Sequence, residues 1–296
     1  MGVGPLNDLF DVVLYQLFKT TPDQFSFTGM PLSQRTTCWA ICASYLAIVL
    51  SGSFLMRYVE KPVTFKWIFF WHNAVLSTAS AYLLGLFMEN LIPIIYNHGL
   101  FFAICDAGAY TNRMELLYYI NYLFKFWELA DTVFLVLKKK QLEFLHVYHH
   151  AATAYLCFIE LDGRTSVSWV VITLNLLVHV IMYYYYARTT VSSKPVWWKK
   201  HLTTMQITQF VIDLGVIYFA TYNLYVSRYY KHLPHYGGCY GSEEAAQVGC
   251  VILSSYLLLF IQFFIKTYYG IRASRASKAN GVNGSAPKST RSKKAE

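Results

Sequence analysis

Seven apolar stretches of membrane-spanning length restrict this chain to an integral membrane fold. A helix that rises 1.5 Å per residue needs about 20 predominantly apolar residues to cross the hydrocarbon core of a bilayer. The composition agrees, because 55% of the residues are hydrophobic and 14% are charged, which is too apolar for an ordinary soluble domain. The sequence therefore predicts an all-α protein with seven transmembrane helices, over residues 37–56, 66–88, 115–137, 143–160, 166–187, 203–226 and 247–269.

Lys and Arg residues mark one side of the predicted bundle. They concentrate between spans 1 and 2, between 3 and 4, and between 5 and 6, whereas the alternate connections are acidic or mixed. Because cytosolic loops carry an excess of Lys and Arg, this pattern predicts a luminal N-terminus and a cytosolic C-terminus. We expect a luminal N-terminal segment over 1–36, a seven-helix domain over 37–271 and a disordered cytosolic tail over 272–296.

The tail also suggests a subcellular location for the protein. Lys293 and Lys294 stand at the fourth and third positions from the C-terminal end, the spacing of a dilysine signal that returns membrane proteins to the endoplasmic reticulum. The net charge of +9 lies mostly in short loops and in this tail, which suits membrane orientation and anionic headgroups. We therefore expect a multi-pass protein of the endoplasmic reticulum membrane and no nucleic-acid partner.

Ionisable and polar side chains inside the predicted spans indicate a functional site. A charge near the bilayer centre costs roughly 2.5 to 3.5 kcal/mol, yet span 3 has Lys125, Glu128 and Asp131 on one face. A structural reading, in which Lys125 and Glu128 only neutralise each other, stays open. In five spans the polar groups fall about 9 to 13 Å from the cytosolic end, which predicts a single site there, next to an apolar interior. The candidates on spans 2 and 4 to 6 are His72, His146, His149, His150, Asn175, His179, Tyr183, Gln206 and Gln209.

Four motifs resemble those of the ELO family of fatty-acid elongases. They are K-F-W-E-L-A-D-T at 125–132, H-V-Y-H-H at 146–150, N-L-L-V-H-V-I-M-Y-Y-Y-Y at 175–186 and T-M-Q-I-T-Q-F at 204–210. The stretch P-H-Y-G-G-C-Y-G-S at 234–242 is similar to the fungal branch. The resemblance implies a seven-helix fold in which six helices surround a narrow acyl tunnel. It also implies an enzyme that condenses malonyl-CoA with a long-chain acyl-CoA.

The resemblance assigns the nucleophile to the middle histidine of the box, His149, which would carry the acyl group as an acyl-imidazole. We expect Asp131 and Glu128 to orient imidazoles of the box, and His179 to stabilise the developing enolate or to donate a proton. Asn175 and Gln209 could donate hydrogen bonds to carbonyl oxygens. Further candidates are His146 and His150 for catalysis, Lys125, Tyr183 and Gln206 for substrate binding, and Lys199 and Lys200 either for CoA phosphates or as a topology signal alone.

The expected partners follow from the chemistry that the chain lacks. No glycine-rich nucleotide-binding loop follows a strand, so the reductive steps would belong to separate proteins: a 3-oxoacyl-CoA reductase, a 3-hydroxyacyl-CoA dehydratase and an enoyl-CoA reductase. We expect no metal and no cofactor beyond the two CoA substrates. Cys105 and Cys239 both fall in predicted luminal loops, on the oxidising side, and are therefore expected to form a disulfide.

Two other functional classes remain compatible with parts of the sequence. An HxxHH box also occurs in membrane di-iron desaturases and hydroxylases, but those enzymes use about eight histidines in three clusters, whereas three of the nine histidines here are predicted to be luminal. A non-enzymatic seven-helix receptor or transporter would permit the luminal N-terminus, but it gives no reason for polar groups to converge at one cytosolic depth. Cys157 is a weaker candidate nucleophile, because it lies deeper, in an apolar run.

Overall fold

The computed structural model describes residues 4–270, and this part of the chain is helical, without β-strands. Within it, 3-10 turns occur at Pro22–Gln24 and Ala107–Ala109, and a π-helical segment, Ile265–Gly270, continues the last helix. The expected tail at 272–296, with Lys293 and Lys294, lies outside the described residues. The α-helices are α1 Pro5–Phe18, α2 Arg35–Leu55, α3 Lys66–His98, α4 Leu100–Cys105, α5 Asn112–Leu137, α6 Phe144–Asp162, α7 Ser168–Val191, α8 Lys199–Tyr229 and α9 Glu243–Phe264.

Seven of these helices coincide with the seven predicted stretches, and the all-helical membrane architecture is confirmed. Within residues 4–270, α2, α3, α7, α8 and α9 are long and apolar enough to cross a bilayer. Helices α5 and α6 form where they were predicted, but they are not among those five. Their hydropathy is lowered by the same side chains that mark the candidate site, namely Lys125, Glu128 and Asp131 on α5 and the three histidines on α6.

Local sequence signals explain where several helices begin and end. The Thr111 hydroxyl accepts a hydrogen bond from the Met114 N–H at the start of α5, and the Ser242 hydroxyl accepts one from Ala245 at the start of α9. Such N-caps satisfy backbone donors that have no partner within the helix. Helix α3 ends immediately before Gly99, whose φ of 84° is a conformation that glycine adopts without a steric penalty.

The helices pack so that α2 lies outside the others. Helix α3 packs along α7, α8 along α9, and α6 against both α5 and α9, whereas α2 contacts the outer side of α5 and α6. Aromatic and aliphatic side chains fill the largest core cluster, including the fully buried Phe87, Tyr122 and Phe158. This arrangement leaves an internal space between α3 and α5–α9.

Two helices were not anticipated from the sequence. Helix α1 lies within the segment expected as a luminal N-terminal region, and α4 lies in the connection between spans 2 and 3. Neither contains an apolar run long enough to span a bilayer, so a search for spans passes over both. The structure joins Cys105, the last residue of α4, to Cys239 in the connection between α8 and α9 by a disulfide, the pairing that the predicted topology indicated.

Candidate active site

Two cavities meet inside the bundle, and His149 lies where they join. The outer cavity has a volume of about 390 Å³ and contains many polar side chains, whereas the inner one, of about 50 Å³, is narrow and mostly apolar. Helices α3 and α5–α9 supply the residues that line them. The lining of the two joined cavities therefore changes from polar to apolar at the residues common to both, which are His149, Asn175, Gln209 and Phe210.

A buried ion pair on α5 is the centre of the polar cluster. Lys125 Nζ lies 2.9 Å from Glu128 Oε1 and donates to Asn175 Oδ1 on α7, also at 2.9 Å. The Lys125 and Glu128 side chains are only 2% and 5% exposed. Glu128 Oε1 also lies 3.2 Å from Nδ1 of His179. Because buried charges are tolerated only with close partners, this cluster ties α5 to α7 at one depth.

The hydrogen bonds of this cluster indicate the tautomer of His179. Lys125 has only donors, so the Asn175 atom that it contacts is the amide oxygen. The amide nitrogen of Asn175 then donates to His179 Nε2, at 3.2 Å. An accepting Nε2 carries no proton, which places the ring proton on Nδ1, facing Glu128. Nδ1 makes no hydrogen bond to Glu128, so the contact between them is mainly electrostatic.

A second polar chain holds Asp131 at the wall of the outer cavity. Trp127 donates its indole N–H to His72 Nδ1 at 3.2 Å, so the His72 proton lies on Nε2. That Nε2 donates to one Asp131 oxygen at 2.7 Å, and the Tyr183 hydroxyl donates to the other, also at 2.7 Å. Asp131 is thereby fixed by two donors while its side chain keeps 17% exposure.

We expected Asp131 and Glu128 to orient imidazoles of the box, and this expectation is wrong if it means direct contact with those imidazoles. The imidazole that Asp131 binds is His72 on α3, and the one that Glu128 approaches is His179 on α7. Both carboxylates are on α5, whose neighbours across the polar cluster are α3 and α7. Helix spacing placed the charges on one face but did not show which neighbouring helix that face meets.

The three box histidines differ in their surroundings. All three line the outer cavity, and His149 is the one of them that also lines the inner cavity. Its ring centroid lies 4.5 Å from that of Tyr256 and 5.8 Å from that of Phe260. Its Nδ1 is buried without a hydrogen-bond partner. His146 and His150 pack against each other with ring centroids 4.5 Å apart.

Four of the seven expected substrate-binding residues line a cavity, and three do not. Lys125 lines the inner cavity, Gln206 lines the outer one, and Asn175 and Gln209 line both. Tyr183 lines neither, because it lies fully buried behind Asp131. The basic pair expected to hold CoA phosphates also lines neither cavity, and its Lys200 lies over the Phe264 ring; among the loop lysines, Lys138 lines the outer cavity.

Sequence reasoning assigned no role to two groups that the structure places at the site. Asp213 is buried and accepts a hydrogen bond from Gln209 Nε2 at 3.1 Å, which orients that amide. Glu160, the last residue of the predicted span 143–160, lies in α6 and lines the inner cavity, where its carboxylate accepts hydrogen bonds from Thr165 and Ser168. The (i, i+4) spacing of Gln209 and Asp213 was a usable signal, whereas Glu160 resembled an ordinary loop acid.

Comparison with known proteins identifies the family. The profile of the ELO family, described as the GNS1/SUR4 family, matches residues 30–278. The chain is 47% identical over 262 residues to "Putative fatty acid elongase 1" of Schizosaccharomyces pombe, covering 88% of this chain and 78% of that protein. It is 36% identical over 235 residues to fatty acid elongase A of Dictyostelium discoideum, covering 77% and 82% of the two chains. The helical membrane fold, the four motifs and these relatives agree, and the chain belongs to the ELO (GNS1/SUR4) family of fatty acid elongases.

Proposed function

We propose that this protein is the condensing enzyme of fatty-acid elongation, a 3-oxoacyl-CoA synthase. It would join a long-chain acyl-CoA to malonyl-CoA and release a 3-oxoacyl-CoA two carbons longer, carbon dioxide and CoA. The observation that carries the proposal is the position of His149 at the junction of a polar outer cavity and a narrow apolar inner cavity. A ligand with a large polar head and a long apolar tail fits that shape, with its thioester at the junction.

The first half-reaction would transfer the acyl group to the protein. Nε2 of neutral His149 attacks the thioester carbon, the carbon–sulfur bond breaks, and CoA leaves as a thiolate that takes up the proton released from Nδ1 of the acylated ring. The resulting acyl-imidazole is reactive enough to be attacked in turn, which divides one difficult condensation into two steps. His179 is a poorer nucleophile here, because its Nε2 already accepts a hydrogen bond from Asn175.

The second half-reaction would form the new carbon–carbon bond. Malonyl-CoA loses carbon dioxide, and its enolate carbon attacks the acyl carbon on His149. The bond between the acyl carbon and Nε2 breaks, and the departing ring takes up a proton from water to regenerate the neutral imidazole. Developing negative charge on the enolate oxygen needs hydrogen-bond donors or a nearby cation. Asn175 and Gln209 line both cavities with amide groups, and Lys125 lines the inner one, so these residues are the proposed stabilisers.

We infer that the membrane arrangement has seven spans, with α5 and α6 as the two that apolarity alone does not identify. Six helices, α3 and α5–α9, would then surround the acyl tunnel, with α2 outside. The outer cavity would open to the cytosol, where CoA esters are soluble, in the endoplasmic reticulum membrane. Products would pass to a 3-oxoacyl-CoA reductase, a 3-hydroxyacyl-CoA dehydratase and an enoyl-CoA reductase.

The test is incorporation of labelled malonyl carbon into 3-oxoacyl-CoA by the purified protein, without NADPH, across a panel of acyl-CoA chain lengths. We expect product from the wild type and none from His149→Ala. Single-turnover reactions with labelled acyl-CoA alone should leave label on the wild-type protein at His149, measured by mass spectrometry near neutral pH because an acyl-imidazole hydrolyses in acid. His146→Ala is a matched control for the second readout, because His146 does not line the inner cavity. Absence of condensation by folded wild-type protein would refute the proposed activity.

A further inference from the structure

Helix α1 has an exposed apolar edge that other described residues do not cover. Leu9, Val13 and Leu17 are four residues apart and are 57%, 43% and 69% exposed. At 100° per residue they fall within an arc of about 80°. The opposite edge of the same helix carries Asp8 and Asp11 together with the exposed aromatic residues Tyr15 and Phe18. Helix α1 therefore has one edge that is apolar throughout, whereas both of its acidic residues lie on the opposite edge, which is called the acidic edge below.

Helix α1 is fixed against the bundle by polar contacts to α3 and α5. The Glu89 carboxylate of α3 accepts hydrogen bonds from the backbone N–H groups of Leu6 and Asn7, at 3.0 and 2.9 Å. The Arg113 guanidinium at the start of α5 donates to both oxygens of Asp11, each at 2.8 Å. The direction of the apolar edge is thus set by docking and not by free rotation of the segment.

The depth of this docking places α1 at a membrane boundary. Glu89 follows Lys66 by 23 residues, which is about 34 Å along α3, whereas the hydrocarbon core is about 30 Å thick. With Lys66 at one boundary, Glu89 and the start of α1 are at the other. Leu6 packs at Gly85, where a Cβ atom would lie only 2.6 Å from Leu6 Cδ1. Because Gly85 is one turn closer to the bilayer centre than Glu89, the apolar edge faces the hydrocarbon.

We propose that α1 is an interfacial helix that inserts Leu9, Val13 and Leu17 into the luminal leaflet, with its acidic edge toward the lumen. Assignment of the leaflet rests on the membrane orientation given under the proposed function. The partner is a zwitterionic lipid surface. Interfacial helices that bind anionic lipids are rich in Lys and Arg on the polar face, whereas the polar edge of α1 carries Asp8 and Asp11.

Spin labels would measure this insertion directly. Single cysteines introduced as Val13→Cys and Asp8→Cys place labels about 140° apart on the same helix. Each full-length variant is labelled, reconstituted into phosphatidylcholine bilayers and examined for collision with oxygen and with a water-soluble nickel chelate. The unsubstituted protein gives the background from its own thiols, of which Cys38 is buried and Cys42, Cys157 and Cys250 are half-buried.

We expect an oxygen-to-nickel collision ratio several-fold higher at position 13 than at position 8. Equal exposure of both labels to nickel would overturn the proposal, because α1 would then lie in water. Exclusion of both reagents at position 13 would also overturn it, because protein, such as a second copy of this chain, would then cover the edge. The readout needs no turnover, so either negative result leaves the condensation proposal to its own test.

Discussion

Single side chains in this bundle depend on a few neighbours for their charge and orientation. Lys125 has two oxygen partners, Glu128 Oε1 and Asn175 Oδ1, and one of them belongs to another helix. Glu128 is shared between Lys125 and His179. Removing one member of such a set leaves another buried charge without compensation, which is worse than removing both.

Lys125→Met should lower the stability of the folded protein by about 3 to 5 kcal/mol, because Glu128 would stay buried without its cation. The double variant Lys125→Met, Glu128→Gln should be more stable than Lys125→Met alone, since no unpaired carboxylate remains. Thermal midpoints of the detergent-solubilised proteins measure the difference. A double variant less stable than Lys125→Met would show that Glu128 is compensated by groups other than Lys125.

Contacts between elements depend on positions where a side chain would not fit. Gly163 follows α6, and its carbonyl oxygen accepts a hydrogen bond from the backbone N–H of Ser242, the N-cap of α9. A Cβ atom on Gly163 would collide with Ser242 Oγ and would lie 2.7 Å from the Cβ of Ala245. Lack of space, and not backbone conformation, therefore explains the glycine where the end of α6 meets the start of α9. The φ of Gly163, −81°, is one that other residues also adopt.

Gly163→Ala should destabilise the protein by about 1 to 3 kcal/mol, since the added methyl group overpacks the junction. Gly215→Ala is the matched control. Gly215 lies inside α8, and a Cβ there meets no atom within 4 Å, so alanine should stabilise the helix by up to about 1 kcal/mol. Opposite signs in thermal midpoint are expected. A neutral Gly163→Ala would mean that α9 moves away without cost.

The disulfide connects α4 to the segment before α9 across 134 residues of sequence. Replacing Cys105 and Cys239 together by Ser should lower stability by about 2 to 4 kcal/mol, because the unfolded chain regains the freedom that the cross-link removes. The wild type should show a lower thermal midpoint in reductant, and the double variant should not respond. Cys250→Ser, at a half-buried free thiol, should keep the wild-type response to reductant.

At the scale of the whole molecule, the number of membrane spans can be tested. Among the described residues, five helices are long and apolar enough to span a bilayer, whereas seven spans are proposed. Both arrangements put the two termini on opposite sides, so the termini do not distinguish them. The location of the connection between α5 and α6 does distinguish five spans from seven. It is cytosolic if these helices cross the membrane and luminal if they do not.

Gln141→Cys, at an exposed position in that connection, should react with a membrane-impermeant maleimide added to the cytosolic face of sealed microsomes. Asn97→Cys, at the exposed far end of α3, should react only after the membrane is permeabilised. The unsubstituted protein corrects for its own thiols. Protection of position 141 until permeabilisation would reduce the number of spans to five.

The sequence by itself determined the helical membrane class, the positions of seven helices and the group of residues that form the polar cluster. Apolar runs and the cost of charge in lipid act along one helix at a time, so they are readable without the fold. Helix periodicity placed Lys125, Glu128 and Asp131 on one face, and loop charges indicated where Cys105 and Cys239 lie.

Only the tertiary structure decided which helices those faces meet. It paired Asp131 with His72 and Tyr183, placed Glu128 beside His179, and kept Lys199 and Lys200 away from both cavities. It also showed that α1 docks on Glu89. Partners on different helices depend on the packing of whole helices, which no local pattern along the chain contains.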